Sequence, residues 1–134
     1  MAKSNLRFIP GSHEAINFNV ASYASNAASA TQPAFTAPAD GTITAINLMF
    51  VASQVSTTKT DGITVVNLGT AGTGTTVIGT FSATKAIASY APVAVDLAAA
   101  PTFTDGQSIG FCWASAAATT IQLASTATIE LQYT

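Results

Sequence analysis

Apolar and polar residues alternate with a period of two along much of this chain, and that period decides the fold class. Ile16, Phe18 and Val20 alternate with Asn17, Asn19 and Ala21. Ile46, Leu48 and Phe50 alternate with Ala45, Asn47 and Met49. The same holds for Ile109, Phe111 and Trp113 against Gly110, Cys112 and Ala114, and for Ile129, Leu131 and Tyr133 against Thr128, Glu130 and Gln132. Successive side chains of a strand point to opposite faces, so each run reads as a strand with one face in a core. Two β-branched runs, 63–66 and 75–78, add further strands.

Turn chemistry punctuates these runs. Asp40-Gly41, Asp61-Gly62 and Asp105-Gly106 each stand just before an apolar run. Asp accepts local backbone hydrogen bonds and Gly supplies positive φ, so the pairs read as turns and their carboxylates as turn-makers rather than catalysts. The pattern predicts strands over 16–25, 42–52, 62–68, 75–82, 92–98, 107–115, 119–124 and 127–133. Eight short strands make an all-β chain, a single antiparallel β-sandwich of jelly-roll-like form. Helix competes in the Ala-rich stretches 27–30 and 96–100, which Pro33 and Pro101 bound and which are too short to stand alone, and as a turn over 114–118, which Thr119, Thr120 and Ile121 pull back to strand. The glycine-rich stretch 69–74 reads as a hairpin tip. Residues 1–15 lack a period and read as an extended N-terminal arm, with the sandwich domain over 16–134. At 134 residues there is room for one domain and one core.

Composition then excludes several function classes. Charged residues are 7% of the chain, against about 25% in an average soluble domain. Four Lys and Arg residues cannot form a basic stripe, so nucleic acid is not an expected partner. Nor is an anionic membrane, and no apolar run approaches 18 residues. The first eleven residues lack an apolar stretch of signal-peptide length, which predicts synthesis in a cytoplasm. The single cysteine, Cys112, rules out an internal disulfide and a multi-cysteine zinc site. There are 27 Ala, 21 Thr and 12 Ser, and the net charge is only −2. A surface so poor in charge lacks the usual drive to stay apart in water, which fits either a monomer with an Ala/Thr surface or, as the favoured reading, burial of some surface against other subunits.

No catalytic inventory emerges. Gly106-Gln107-Ser108-Ile109-Gly110 matches the G-x-S-x-G pattern, but that elbow needs a following helix, and residues 111–115 read as strand. The one histidine, His13, lies far upstream beside a single carboxylate, Glu14, short of a metal site. Cys112 has no basic neighbour in sequence to activate it and reads as a packing residue. The stretch 69–74 is not a phosphate-binding fingerprint. No catalytic residue, cofactor or metal is therefore expected. Among the aromatics Trp113 fits the core, which leaves Tyr23 and Tyr90 as candidate exposed platforms.

The order of these elements carries a resemblance. Phe35-Thr36-Ala37-Pro38-Ala39-Asp40-Gly41-Thr42-Ile43 opens a strand. Val65-Val66-Asn67-Leu68-Gly69-Thr70 and Thr76-Val77-Ile78-Gly79-Thr80 follow, then Phe103-Thr104-Asp105-Gly106-Gln107-Ser108-Ile109-Gly110-Phe111 and a final strand over 127–133. Over roughly 33–133 this resembles the small β-sandwich decoration (cement) and head-fibre proteins of tailed bacteriophages. The resemblance implies a virion protein on the outer capsid surface. Its expected partners are the major capsid protein and its own copies in a homotrimer. An arm crossing to a neighbour would act as a clasp, which makes Lys3, Arg7, Phe8, Ile9, His13 and Glu14 candidate interface residues. Two other readings stay open: a tail or head-fibre component, and a glycan- or receptor-binding module using Tyr23 or Tyr90.

Overall fold

A computed structural model describes residues 9–20, 29–51, 62–82, 88–99, 101–114 and 125–134. All its regular structure is β. The strands are β1 (His13–Val20), β2 (Ser29–Thr36), β3 (Gly41–Phe50), β4 (Gly62–Gly69) and β5 (Thr76–Ser82), then β6 (Pro92–Ala94), β7 (Asp96–Leu97), β8 (Thr102–Phe103), β9 (Ser108–Ala114) and β10 (Ser125–Tyr133). Two antiparallel sheets result. The first runs β1-β10-β3-β6, with β8 also on β3, and the second runs β2-β9-β4-β5-β7. The chain is thus an all-β sandwich, with ten strands among the described residues rather than eight.

The alternating residues meet between the sheets. Ile43, Ile46, Leu48, Phe50, Ile129 and Leu131 of the first sheet and Ile63, Val65, Ile109 and Phe111 of the second are almost wholly buried. Burying each such side chain is worth about 1.5–3 kcal/mol. Three aromatic pairs join the sheets: Phe18 with Phe111 at 5.7 Å, Phe50 with Phe81 at 5.4 Å and Phe35 with Phe103 at 6.2 Å between ring centroids.

Four departures from the sequence pattern have physical causes. β1 starts at His13, inside the segment expected to be an arm. Glu14 stands there in phase with Ile16 and Phe18 but remains exposed, and its Oε2 accepts a hydrogen bond from the Tyr133 hydroxyl, so a carboxylate takes the place where the period predicts an apolar side chain. β2 lies where Ala-rich sequence and Pro33 argued against a strand. It is an edge strand with a register shift between Pro33 and Phe35, and an edge is where a sheet tolerates proline. The expected strand 92–98 is two strands in different sheets. The chain crosses over at buried Val95, whose N–H donates to Ile46 O at 2.9 Å. Finally, β8 is a two-residue strand too short to show a period. The expected strand 119–124 lies outside the described residues.

The Asp-Gly pairs differ from one another. Gly106 does hold positive φ, +81°. Gly41 does not, and is required for space: a Cβ there would stand 2.5 Å from Phe103 Cζ and 2.7 Å from the Gln132 carbonyl oxygen. The stretch 69–74 is the hairpin tip between β4 and β5, with Gly74 N–H donating to Leu68 O at 2.7 Å.

Candidate interaction surface

The registers place the strand ends in two groups. Val20, Phe50 and Ser125 align at one end of the first sheet, and Ser29, Gly62, Ser82 and Ala114 align at one end of the second. At the opposite end stand Gly41, Phe103, Tyr133, Thr36, Gly69 and Ser108.

The Gly41 end is closed by polar side chains. Asp105 N–H donates to Asp40 Oδ1 at 2.8 Å. Gln107 Oε1 accepts from Thr104 N–H at 3.0 Å and from Asn67 Nδ2 at 2.8 Å, and Asn67 Oδ1 accepts from Gly69 N–H at 2.9 Å. Asp105 therefore sits in a turn, as the Asp-Gly reading predicts, and Asp40 accepts from it at the entry to β3. Beneath them Phe103 packs edge-on against both Phe35 and Tyr133. Burial, then the Glu14 hydrogen bond and charge, raise the Tyr133 phenol from 10.0 to about 12.

At the Phe50 end, three of the described residues present apolar side chains to solvent. Met49 is 39% exposed, Val51 50% and Tyr90 68%. The backbone brings them together: Tyr90 N–H donates to Phe50 O at 2.8 Å, and Met49 pairs with exposed Pro92. Tyr90 has φ +59°, the one positive-φ residue other than glycine among those described. An L residue in this region carries about 1–2 kcal/mol of steric cost. Strain of this kind clusters at functional positions. Tyr90 is thus the exposed aromatic that the sequence predicts. Met49 and Val51 were not singled out by sequence, although both carry apolar side chains at the outward phase of β3.

The other sequence candidates are dispersed. Lys3, Arg7, Phe8 and Tyr23, and the side chain of Trp113, lie outside the described residues. Ile9 is exposed beside the Pro10-Gly11 turn. His13 and Glu14 belong to β1, opposite Gln132 and Leu131. Ser108 begins a strand, not a helix, and its hydroxyl lies 3.1 Å from that of Thr36. Cys112 is half-buried on β9. Among the described residues no three His, Cys, Asp or Glu side chains group as they would around a metal ion. No helix of the described residues is long and apolar enough to cross a membrane.

The outward face of the first sheet is uncharged over most of its area. Asn17, Thr128 and Asn47 stand in one row, joined by a 3.0 Å bond from Thr128 Oγ1 to Asn17 Oδ1, and Asn19, Thr126 and Met49 stand in the next. No family model, no curated protein and no solved structure matches the chain.

Proposed function

We propose that this chain is a structural, non-catalytic virion protein that binds the outside of an assembled phage capsid and stabilises it, as a homotrimer against the major capsid protein. The observation that carries this reading is the Met49–Val51–Tyr90 corner, an exposed apolar cluster on a sandwich with almost no charge. Such a surface docks with little desolvation of ions. Binding to the assembled shell and not to its free subunits stabilises the shell by mass action. The strand order supports the jelly-roll form: first and last strands are neighbours in one sheet, and the second, ninth, fourth and fifth follow one another in the other. A tail or head-fibre component would use the same corner on a different part of the particle.

The test is co-sedimentation with particles lacking this protein. The chain pellets with the particles at micromolar concentration under the proposal; its remaining in the supernatant counts against it. A second reading, a glycan- or receptor-binding module, rests on Tyr90, whose ring is exposed on a strained backbone. A glycan array reads it directly, and hits abolished by Tyr90→Ala would favour it over the capsid.

A further inference from the structure

Among the described residues five strands stand at sheet edges, and four of them are blunted. β2 carries Pro33 and a register shift. β6 has three residues, and β7 and β8 have two each. Short strands, proline and bulges are the devices that stop edge-to-edge association. β1 has none of them. It is eight residues long, His-Glu-Ala-Ile-Asn-Phe-Asn-Val, with no Pro, Lys or Arg. Its one acidic group, Glu14, is engaged by Tyr133.

The backbone of β1 shows what this edge offers. Tyr133 N–H donates to Ser12 O at 3.0 Å. Bonded pairs alternate along an antiparallel ladder, so Glu14, Ile16, Phe18 and Val20 bond to β10. The N–H and C=O groups of His13, Ala15, Asn17 and Asn19 then point away from the sheet. Gln32 Nε2 donating to Asn19 O at 3.3 Å agrees with that phase. Among the described residues no strand pairs with this side of β1. The inward-facing Ile16 and Phe18 are only partly buried, at the rim of the core.

We propose that β1 pairs antiparallel with β1 of a second copy of this chain, centred on Asn17. This goes beyond the capsid reading and does not depend on it. The strand is self-complementary in this register. Asn17 meets Asn17 of the other copy as a bonded pair, and Ala15 pairs with Asn19 on either side, where the Asn19 carbonyl accepts the Ala15 N–H beside, or in place of, its long 3.3 Å bond from Gln32 Nε2. Ile16 then lies against Phe18 of the other copy, twice over, which covers the exposed rim of both cores. The two Glu14 side chains stay apart, each facing a Val20. The twofold pairing joins copies two at a time and adds to any threefold clustering.

Charge swapping at the centre tests occupant and register together. Like charges directly opposite each other destabilise a pair of strands, and opposite charges support it. Molar mass by light scattering rises with concentration for the wild type and stays at its low-concentration value for Asn17→Lys and for Asn17→Glu alone. An equimolar mixture of the two variants regains the wild-type mass. In the wild type, amide exchange at Ala15 and Asn17 slows as concentration rises. A mixture that stays at the lower mass, or single variants that associate as the wild type does, overturns the proposal. Protection of these amides at every concentration also overturns it, because a segment of the same chain would then cover the edge. Unchanged thermal midpoints for both variants establish that folding is intact.

Discussion

Among the described residues the two ends of the sandwich differ, although Ile9 and Val77 are exposed apolar side chains on the Gly41 side as well. At the Gly41 end, Asp40, Asp105, Gln107 and Asn67 close the turns over an aromatic cluster. At the Phe50 end, Met49, Val51 and Tyr90 face solvent, and the Ser125 hydroxyl is buried with no hydrogen-bond partner. Under the proposed function, the Gly41 end contributes stability and the Phe50 end contact.

That division is broken or sharpened by mutation, beginning with the largest effect. Phe103→Ala removes a fully buried ring that touches both Phe35 and Tyr133 and fills the space beside Gly41, so chemical denaturation should show a loss of about 3–5 kcal/mol. Gln107→Ala takes their shared acceptor from Asn67 and the exposed Thr104 N–H and should cost about 0.5–1.5 kcal/mol in the same assay.

Alkaline pH probes the same end through Tyr133. Its phenol loses its proton near pH 12 in the fold and near 10 when unfolded, so folding favours the protonated form. This contribution is complete below pH 10 and is lost as pH rises through 12. The urea midpoint of the wild type should therefore fall more steeply between pH 10 and 12 than that of Tyr133→Phe. At the opposite end the effect is smallest and reversed in sign. Ser125→Ala removes a buried hydroxyl with no partner and should leave the thermal midpoint unchanged or raise it, by up to about 1 kcal/mol of stability. A clear loss would mean that this end is as tightly satisfied as the other.

The sequence made the sandwich legible through its longest alternating runs, because β3 and β10 present one buried face over nine or ten residues and β9 buries Ile109 and Phe111 in phase. It hid β2 because an edge strand tolerates proline and a shifted register. It hid the start of β1 because Glu14 reads as arm until Tyr133, 119 residues away, is placed beside it. The crossing at Val95 was equally invisible, since a strand that changes sheets keeps its period. Of the candidate surface, Tyr90 was legible as an aromatic outside the periodic runs. Met49 and Val51 were not, because a period-two reading assigns phase and does not reveal which outward positions cluster.

The most direct test of the central claim compares two proteins on the same particles. One replaces Met49, Val51 and Tyr90 together with Ser, and the other is Gln107→Ala. Below both melting temperatures, the account predicts that the triple replacement weakens capsid binding by about tenfold or more, equivalent to at least about 1.4 kcal/mol, whereas Gln107→Ala binds as the wild type does. Wild-type affinity in the triple replacement would contradict it.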